Sequence, residues 1–213
     1  KHQRPSGAGP RYARPLLQAL CPKVNSTKGE KMKVINILLI IVALSGCTSM
    51  QVAELDPATK RFPTKIQATV VSSVDTDLDK MKSLLLLPDN DFVKGQIGNI
   101  GYFDKTMTID DLETLIIKNN LQDKVSSVRD KIGINKAYKE YKPFLWLRID
   151  TREEGNKTYG QFILTKPDTL EDILVVEKHF DYVWAGVNDS NTWYPMFNAI
   201  VDYIDNNSET WNK

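Results

Sequence analysis

The sequence is poor in the residues that most often build metal and redox sites. Its 213 residues include two cysteines and two histidines, and His179 is the only histidine after position 2. A lone histidine has no second imidazole with which to share a metal ion, and general-base catalysis would also need a serine or cysteine nucleophile nearby. No G-x-S-x-G elbow follows in the sequence. We therefore interpret His179 as a structural or surface side chain and expect neither a metal nor a cofactor.

Long hydrophobic runs are also missing, since a bilayer span takes about 20 apolar residues. The most apolar stretch is Val34–Leu44, which is interrupted by Asn36 and preceded by the short basic start Met32-Lys33. A basic start, an apolar run and then small residues are typical of a signal peptide. The alternative is a buried core helix, but this run has no polar face.

Four residues close this stretch, and their sequence "LSGC" resembles the lipobox of bacterial lipoproteins. In that family the cysteine is linked to diacylglycerol, the chain is cut just before it, and the new amino group is acylated. The resemblance implies that residues 32–46 are a lipoprotein signal peptide and that Leu44, Ser45 and Gly46 are recognised by the signal peptidase. It also implies that Cys47 is the lipidated first residue of the mature chain. No cysteine would then remain for a disulfide.

Residues 1–31 contain no methionine and are rich in proline, glycine, serine and basic residues. The four residues before Met32, "KGEK", can be encoded by codons that include a purine-rich ribosome-binding site. We therefore expect residues 1–31, with Cys21, to be upstream sequence that an over-long gene prediction translates. The alternative is a genuine basic extension.

Charge is unevenly distributed along the chain. Residues 1–46 hold eight basic residues and one acidic residue, so the remainder is net negative by six charges. Nucleic-acid binding requires a basic face, and we therefore expect no nucleic-acid partner. The polar residues 47–63 predict a tether between lipid and domain, residues 64–207 a single domain, and residues 208–213 a C-terminal tail.

The apolar pattern predicts an α/β fold, with a mixed sheet of about five strands and helices packed on it. Residues 65–71 fit a short edge strand, and the apolar run 83–88 fits a strand buried on both faces. Weak helical and strand signals follow at 92–100 and 105–109.

The second half of the domain has stronger signals. Thr108 opens a helix with Asp111 in the capping-box position, and a further helix precedes Pro143. Apolar and polar residues alternate in three segments over residues 144–184, which predicts three strands in an antiparallel meander. Asn191 is predicted to cap the closing helix, which has Pro195 in its first turn.

These parts resemble the small α/β domain shared by three kinds of envelope protein. They are the N-terminal part of the Tol-system translocation protein B, the curli secretion lipoprotein, and the outer-membrane lipoprotein activator of a bifunctional penicillin-binding protein. The resemblance rests on "LLLLP", "TMTIDDLETLIIKNNL", "INKAYKEYKPFLWLRID", the meander and "YPMFNAIVDYI". It covers roughly residues 82–206 and is architectural. The chain also resembles uncharacterised lipoproteins of marine-type Gram-negative bacteria, which carry no activity to transfer.

Two motifs have the wrong spacing for the sites that they suggest. Gly95, Gly98 and Gly101 recur every third residue, which matches neither the dinucleotide fingerprint nor the P-loop. Asp75, Asp77 and Asp79 begin like a calcium loop, but the sixth position is Lys80 rather than glycine. We interpret the first motif as loop and helix breaking and the second as a solvated linker.

Acidic residues cluster at the two hairpin turns of the predicted meander. Paired carboxylates can hydrolyse glycosides, but turns are also where solvated charges normally lie. We favour the second interpretation. The residues are Glu153, Glu154, Asp168, Glu171 and Asp172.

The run "DYVWAGVNDSNTWYPMF" places aromatic side chains around a polar loop. Such side chains are enriched at binding surfaces, and they also seat terminal helices on sheets, so both interpretations stay open. A partner surface here would comprise Trp184, Asn188, Asp189, Trp193 and Tyr194.

Together these features predict a non-catalytic lipoprotein that binds the membrane through its lipid and an unknown envelope protein through its domain. Its role would be in envelope assembly or secretion. Thr48 and Ser49 follow Cys47. In lipoproteins that this chain resembles, aspartate after the cysteine retains the protein in the inner membrane, so we expect the periplasmic face of the outer membrane. The alternatives are an envelope glycan or peptidoglycan hydrolase and a subunit of a secretion complex.

Overall fold

Helices lie on both faces of one mixed sheet in the computed structural model, which describes residues 54–180 and 189–211. The strands are β1 (Thr69–Ser73), β2 (Ser83–Leu87), β3 (Lys105–Met107), β4 (Leu145–Glu154), β5 (Lys157–Lys166) and β6 (Glu171–His179). The helices are α1 (Asp91–Ile100), α2 (Ile109–Lys118), α3 (Lys131–Glu140) and α4 (Tyr194–Asn207). A π-helical turn, Asp189–Trp193, precedes α4.

The strand order β1-β6-β5-β4-β2-β3 confirms the predicted α/β class. β2 lies parallel to both β3 and β4, whereas β4, β5, β6 and β1 are antiparallel neighbours. Among the described residues the sheet has six strands, where the sequence predicted about five, because the short segments at β1 and β3 both pair.

β2 shows why both faces of the sheet carry helices. Leu84 and Leu86 are buried in the core of one face, and Leu85 is buried in the core of the other. A strand that is apolar on both sides must be covered on both sides, as the run 83–88 predicted.

Two hydrophobic cores result. The first core lies under α1 and α4, and its buried strand residues are Leu84, Leu86, Leu145, Leu147, Phe162, Leu164, Ile173, Leu174 and Val176. The second core lies under α2 and α3, and it includes Leu85, Met107, Leu112, Ile116, Ile134, Phe144 and Trp146. No described helix is both long and apolar enough to cross a membrane.

One of the two predicted helix caps is confirmed. The Thr108 hydroxyl accepts a hydrogen bond from the Asp111 amide at 3.1 Å, and the Asp111 carboxylate accepts one from the Thr108 amide at 2.9 Å, which completes the capping box of α2. The predicted cap at Asn191 is wrong. Asn191 lies inside the π-helical turn, and Trp193, which precedes α4, makes no side-chain capping hydrogen bond.

The predicted tether 47–63 is too long, because its last part is packed against α4. The Phe62 side chain is buried at 2% exposure. Its amide donates a hydrogen bond to the Asn198 side chain at 2.7 Å, and its carbonyl accepts one from the same side chain at 3.0 Å. The Arg61 guanidinium also pairs with Asp202 and Asp205. Residues 54–63 therefore belong to the domain.

The predicted C-terminal tail is also partly ordered. The Asp79 carboxylate accepts hydrogen bonds from the hydroxyls of Ser208 and Thr210 and from the Glu209 amide. The Trp211 ring packs edge-on against Tyr102. The domain therefore continues at least to residue 211, beyond the predicted boundary at 207.

Candidate functional site

The predicted aromatic surface divides between the core and residues outside the described part of the chain. The Tyr194 side chain is 2% exposed and stacks on Phe62, with the ring centroids 5.0 Å apart. Trp193 is half-buried, and its ring lies against Phe162 and Phe92. Tyr194 therefore seats α4 on the sheet and is not accessible to a partner, which corrects its assignment to the predicted surface.

The other members of that surface are not placed. Trp184 and Asn188 lie outside the described residues, and so does the side chain of Asp189, whose backbone begins the π-helical turn.

The glycine repeat lies on a helix and not in a phosphate-binding loop. Gly95 and Gly98 are exposed positions within α1, which corrects their interpretation as loop residues. Gly101 does end the helix, because its φ of 77° is the left-handed conformation that favours glycine.

The acidic residues of the two hairpin turns are far apart. Glu153 and Glu154 lie at the β4–β5 turn, and Asp172 lies at the β5–β6 turn, at the other end of the ten-residue strand β5. Ten residues at about 3.3 Å each separate the turns by roughly 30 Å, which is too far for a carboxylate pair acting on one bond. Asp172 instead accepts hydrogen bonds from Arg148 and Thr165.

Asp79 anchors the C-terminal residues, which corrects its interpretation as part of a solvated linker. The hydrogen bonds from Ser208 and Thr210 hold the pKa of the Asp79 carboxyl well below its usual range. In the part of the chain that the structure describes, no group of three histidine, cysteine or acidic side chains is arranged to hold a metal ion.

Glu177 and Arg152 form a charge pair on the face of the sheet that also carries the second core. The Arg152 guanidinium, from β4, reaches across β5 and donates two hydrogen bonds to the nearly buried Glu177 carboxylate on β6, at 2.9 and 3.0 Å. Gln161 donates a third at 3.0 Å. Arg152 therefore holds the pKa of the Glu177 carboxyl below its usual range, and the pair clamps the three long strands together. His179 is half-buried beside this pair, with its ring against Tyr159.

A groove lies between the edge strand β1 and α4, and residues from both elements line it. Three cavities of about 400, 250 and 560 Å³ follow one another along it. The first and second share Val70, Ala199 and Asp202, and the second and third share Asp75 and Asn206, so the groove is continuous. We call it the β1–α4 groove and define it by Val70, Asp75, Ala199, Asp202, Tyr203 and Asn206.

β1 presents its backbone and its side chains to solvent beside this groove. Among the described strands it stands at one edge of the sheet, and all five of its residues are exposed. Val70, which lines the groove, is 52% exposed, and Val71, which does not line it, is 54% exposed. A bulge between Val70 and Ser72 interrupts the pairing with β6. Bulges of this kind restrict indiscriminate pairing at a sheet edge.

Hydrogen bonds between the two walls hold the groove in shape. The Tyr203 hydroxyl donates to the Val74 carbonyl at 2.6 Å, and the Thr76 amide donates to the Asn207 side chain at 2.7 Å. Burial raises the pKa of the Tyr203 phenol, so it stays protonated and remains a donor. At the other end, Asn198 holds the backbone of Phe62. The groove is therefore preformed.

Sequence reasoning missed the groove because its walls are distant in the chain. The signal that could have indicated it is the segment "TVVSS", in which two adjacent valines occur in a predicted edge strand. An edge strand leaves one of two adjacent apolar side chains with little cover unless another element lies beside it.

Comparison with known proteins adds no further assignment. No protein-family model matches the chain, and neither a curated protein nor a solved structure matches it.

Proposed function

We propose that the protein is a lipid-anchored, non-catalytic binding domain of the bacterial envelope, held at Cys47 on the periplasmic face of the outer membrane. Two features support the proposal. The lipobox-like "LSGC" follows a basic start and an apolar run, and the domain carries a preformed groove beside an exposed edge strand. The groove is the observation that carries the binding role, because edge strands are recurrent sites of peptide recognition.

The anchor and the domain lie close together in the chain. Six residues lie between Cys47 and Glu54, where the described domain begins. Even fully extended, the seven Cα–Cα steps from Cys47 to Glu54 span at most about 25 Å. The domain would therefore stay near the inner surface of the outer membrane and meet its partner there.

Three carboxyl groups with shifted pKa values do not fit the role of a general acid. A general acid that works near neutral pH needs a raised pKa. By contrast, the pKa values of Asp79, Asp111 and Glu177 are lowered, mainly by hydrogen bonds from Ser208, Thr108 and Arg152. These groups are fixed anions with structural partners, so none of the three fits the role of a general acid.

Fractionation of cells tests both the lipid anchor and the membrane in which the protein is found. The wild-type chain should float with outer-membrane vesicles on a sucrose gradient, and Cys47→Ser should move to the soluble or inner-membrane fractions. Thr48→Asp should shift the chain toward the inner membrane. A Cys47→Ser chain that remains in the outer membrane would overturn the proposed anchor.

A further inference from the structure

The β1–α4 groove has the layout of a site to which an extended peptide adds as a strand. It lies between an edge strand, whose outer backbone groups can pair with a further strand, and a helix that can cover the side chains of that strand. α4 runs along it from Pro195 to Asn207, roughly 18 Å at the rise of an α-helix. An extended segment of five or six residues has about the same length.

The floor and walls of the β1–α4 groove fit the alternating side chains of an extended segment. Val70 and Ala199 supply apolar surface between β1 and α4, and the buried Leu174 lies below them. Side chains of an added strand alternate between the two faces of the sheet, so every second one would point toward α4. These positions favour β-branched apolar residues such as valine.

Charge distinguishes the two ends of the groove. Asp75 and Asp77 are exposed at the end that follows β1, together with Glu209, and Lys65 is exposed at the opposite end. Asp202, in the middle, is already paired with Arg61. The acidic end attracts lysine or arginine, and it disfavours the anionic surface of a membrane.

We infer that the β1–α4 groove binds an extended segment of a partner protein, with apolar and basic residues, which pairs with the outer edge of β1 and lies against α4. This inference rests on the proposed binding function and names the chemistry of the partner. Recognition divides into two parts. Backbone hydrogen bonds to β1 supply pairing of low sequence specificity, and the apolar floor and the acidic end select the side chains.

Binding of a defined peptide to the full chain in detergent tests the inference. The probe is a fluorescein-labelled octapeptide in which every second residue is threonine, and the positions between them are valine in one half and lysine in the other, so that valine and lysine share the face toward α4. The matched peptides carry glutamate in place of lysine, or N-methyl groups on the amides of one edge. The lysine peptide should bind, and both matched peptides should bind at least tenfold more weakly, which corresponds to about 1.4 kcal/mol.

Two substitutions on the same strand provide a matched control. Val70→Lys and Val71→Lys add the same charge at side chains of nearly equal exposure, but Val70 lines the groove and Val71 does not. Val70→Lys should weaken binding of the lysine peptide roughly tenfold, and Val71→Lys by no more than about twofold. Asp75→Asn combined with Asp77→Asn should abolish the preference for lysine over glutamate.

Hydrogen exchange locates the bound peptide. The lysine peptide should slow exchange of those backbone amides of residues 69–73 that face the outer edge of β1, because the Val74 amide already donates to the Ile173 carbonyl. Equal weakening by both valine variants, equal binding of the N-methylated peptide, or protection elsewhere would overturn the inference. So would a chain that is dimeric without peptide and becomes monomeric with Val70→Lys, because a second copy would then occupy the groove. Cys47→Ser should leave peptide binding unchanged. The anchoring proposal and the peptide-binding inference are therefore tested by separate measurements, and either can be refuted without the other.

Discussion

Phe62 stacks on Tyr194, with the ring centroids 5.0 Å apart and the ring planes inclined by 15°. This contact joins the first described segment of the domain, residues 54–63, to the start of α4. Phe197 adds a second ring against Phe62 at 5.3 Å. Because Phe62 is held in the core by both rings, residues 54–63 are fixed to the start of α4.

Removing the Phe62 ring should therefore destabilise the whole domain. Phe62→Ala should cost about 3–5 kcal/mol, the usual loss for a buried phenylalanine. Urea unfolding of the full chain measures this difference. Ile66→Ala is the control, because Ile66 is 36% exposed and its loss should cost much less. A loss below about 1 kcal/mol for Phe62→Ala would show that residues 54–63 behave as a tether.

The three helical glycines should respond in opposite directions to alanine. A Cβ at Gly95 or Gly98 would have no neighbour within 4 Å, whereas a Cβ at Gly133 would lie 1.8 Å from the Ser127 carbonyl oxygen. Gly95→Ala and Gly98→Ala should each stabilise the protein by about 0.5–1 kcal/mol. Alanine has a higher helix propensity than glycine, and it lowers the conformational entropy of the unfolded chain. Gly133→Ala should destabilise it. Thermal unfolding of the three variants is sufficient, and stabilisation by Gly133→Ala would contradict the packing of α3.

Arg152→Met should make stability less dependent on pH in the acid range. The pKa of Glu177 is lowered in the folded chain, so its contribution is present above the pKa of an unfolded glutamate, about 4.3, and is lost as the pH falls through the folded value. Without Arg152 that contribution disappears. The variant should therefore be less stable than wild type at pH 7, and the difference should shrink as the pH falls below 4.

Urea unfolding at several pH values measures this effect. Arg129→Met is the control, because Arg129 is 64% exposed and its partners Asp110 and Glu113 are at the surface. If Arg152→Met lost the same stability at every pH, the loss would come from packing of the side chain and not from the charge of Glu177.

Asp79→Ala should release the C-terminal residues while leaving the sheet intact. The carboxylate is the shared acceptor for Ser208, Glu209 and Thr210, and its replacement leaves those donors to water. Exchange of the amides of residues 209 and 210 should become faster, with little change in β4 and β5. Asp123→Ala, at an exposed loop position, should change neither. Unchanged exchange in Asp79→Ala would mean that Trp211 alone holds the segment.

Local signals predicted much of the fold. The run 83–88 became a strand buried on both faces, and Thr108 with Asp111 became a capping box, because each pattern depends on neighbours in the sequence. The end of the tether was not predictable in the same way. Phe62 is ordered by Asn198, which lies 136 positions later, and nothing in residues 54–63 indicates that partner.

The candidate site was less accessible to sequence reasoning than the fold. The groove combines Val70 from β1 with Ala199 from α4, and their proximity follows from the order of strands in the sheet. The aromatic run suggested a surface, but aromatic residues signal burial as strongly as binding, and Tyr194 is buried. Charge alone likewise did not indicate that Asp79 has Ser208 and Thr210 as partners.

The most direct test of the account is the mass of the chain extracted from membranes. We predict a mature protein that begins at Cys47 and carries a diacylglyceryl group on its sulfur and an acyl group on its amine. Tandem mass spectrometry of the N-terminal peptide would place both modifications. Three acyl chains, at about 0.8 kcal/mol per buried methylene, would make the anchoring effectively permanent. A chain with unmodified Cys47, or one that retains residues 34–44, would contradict the account.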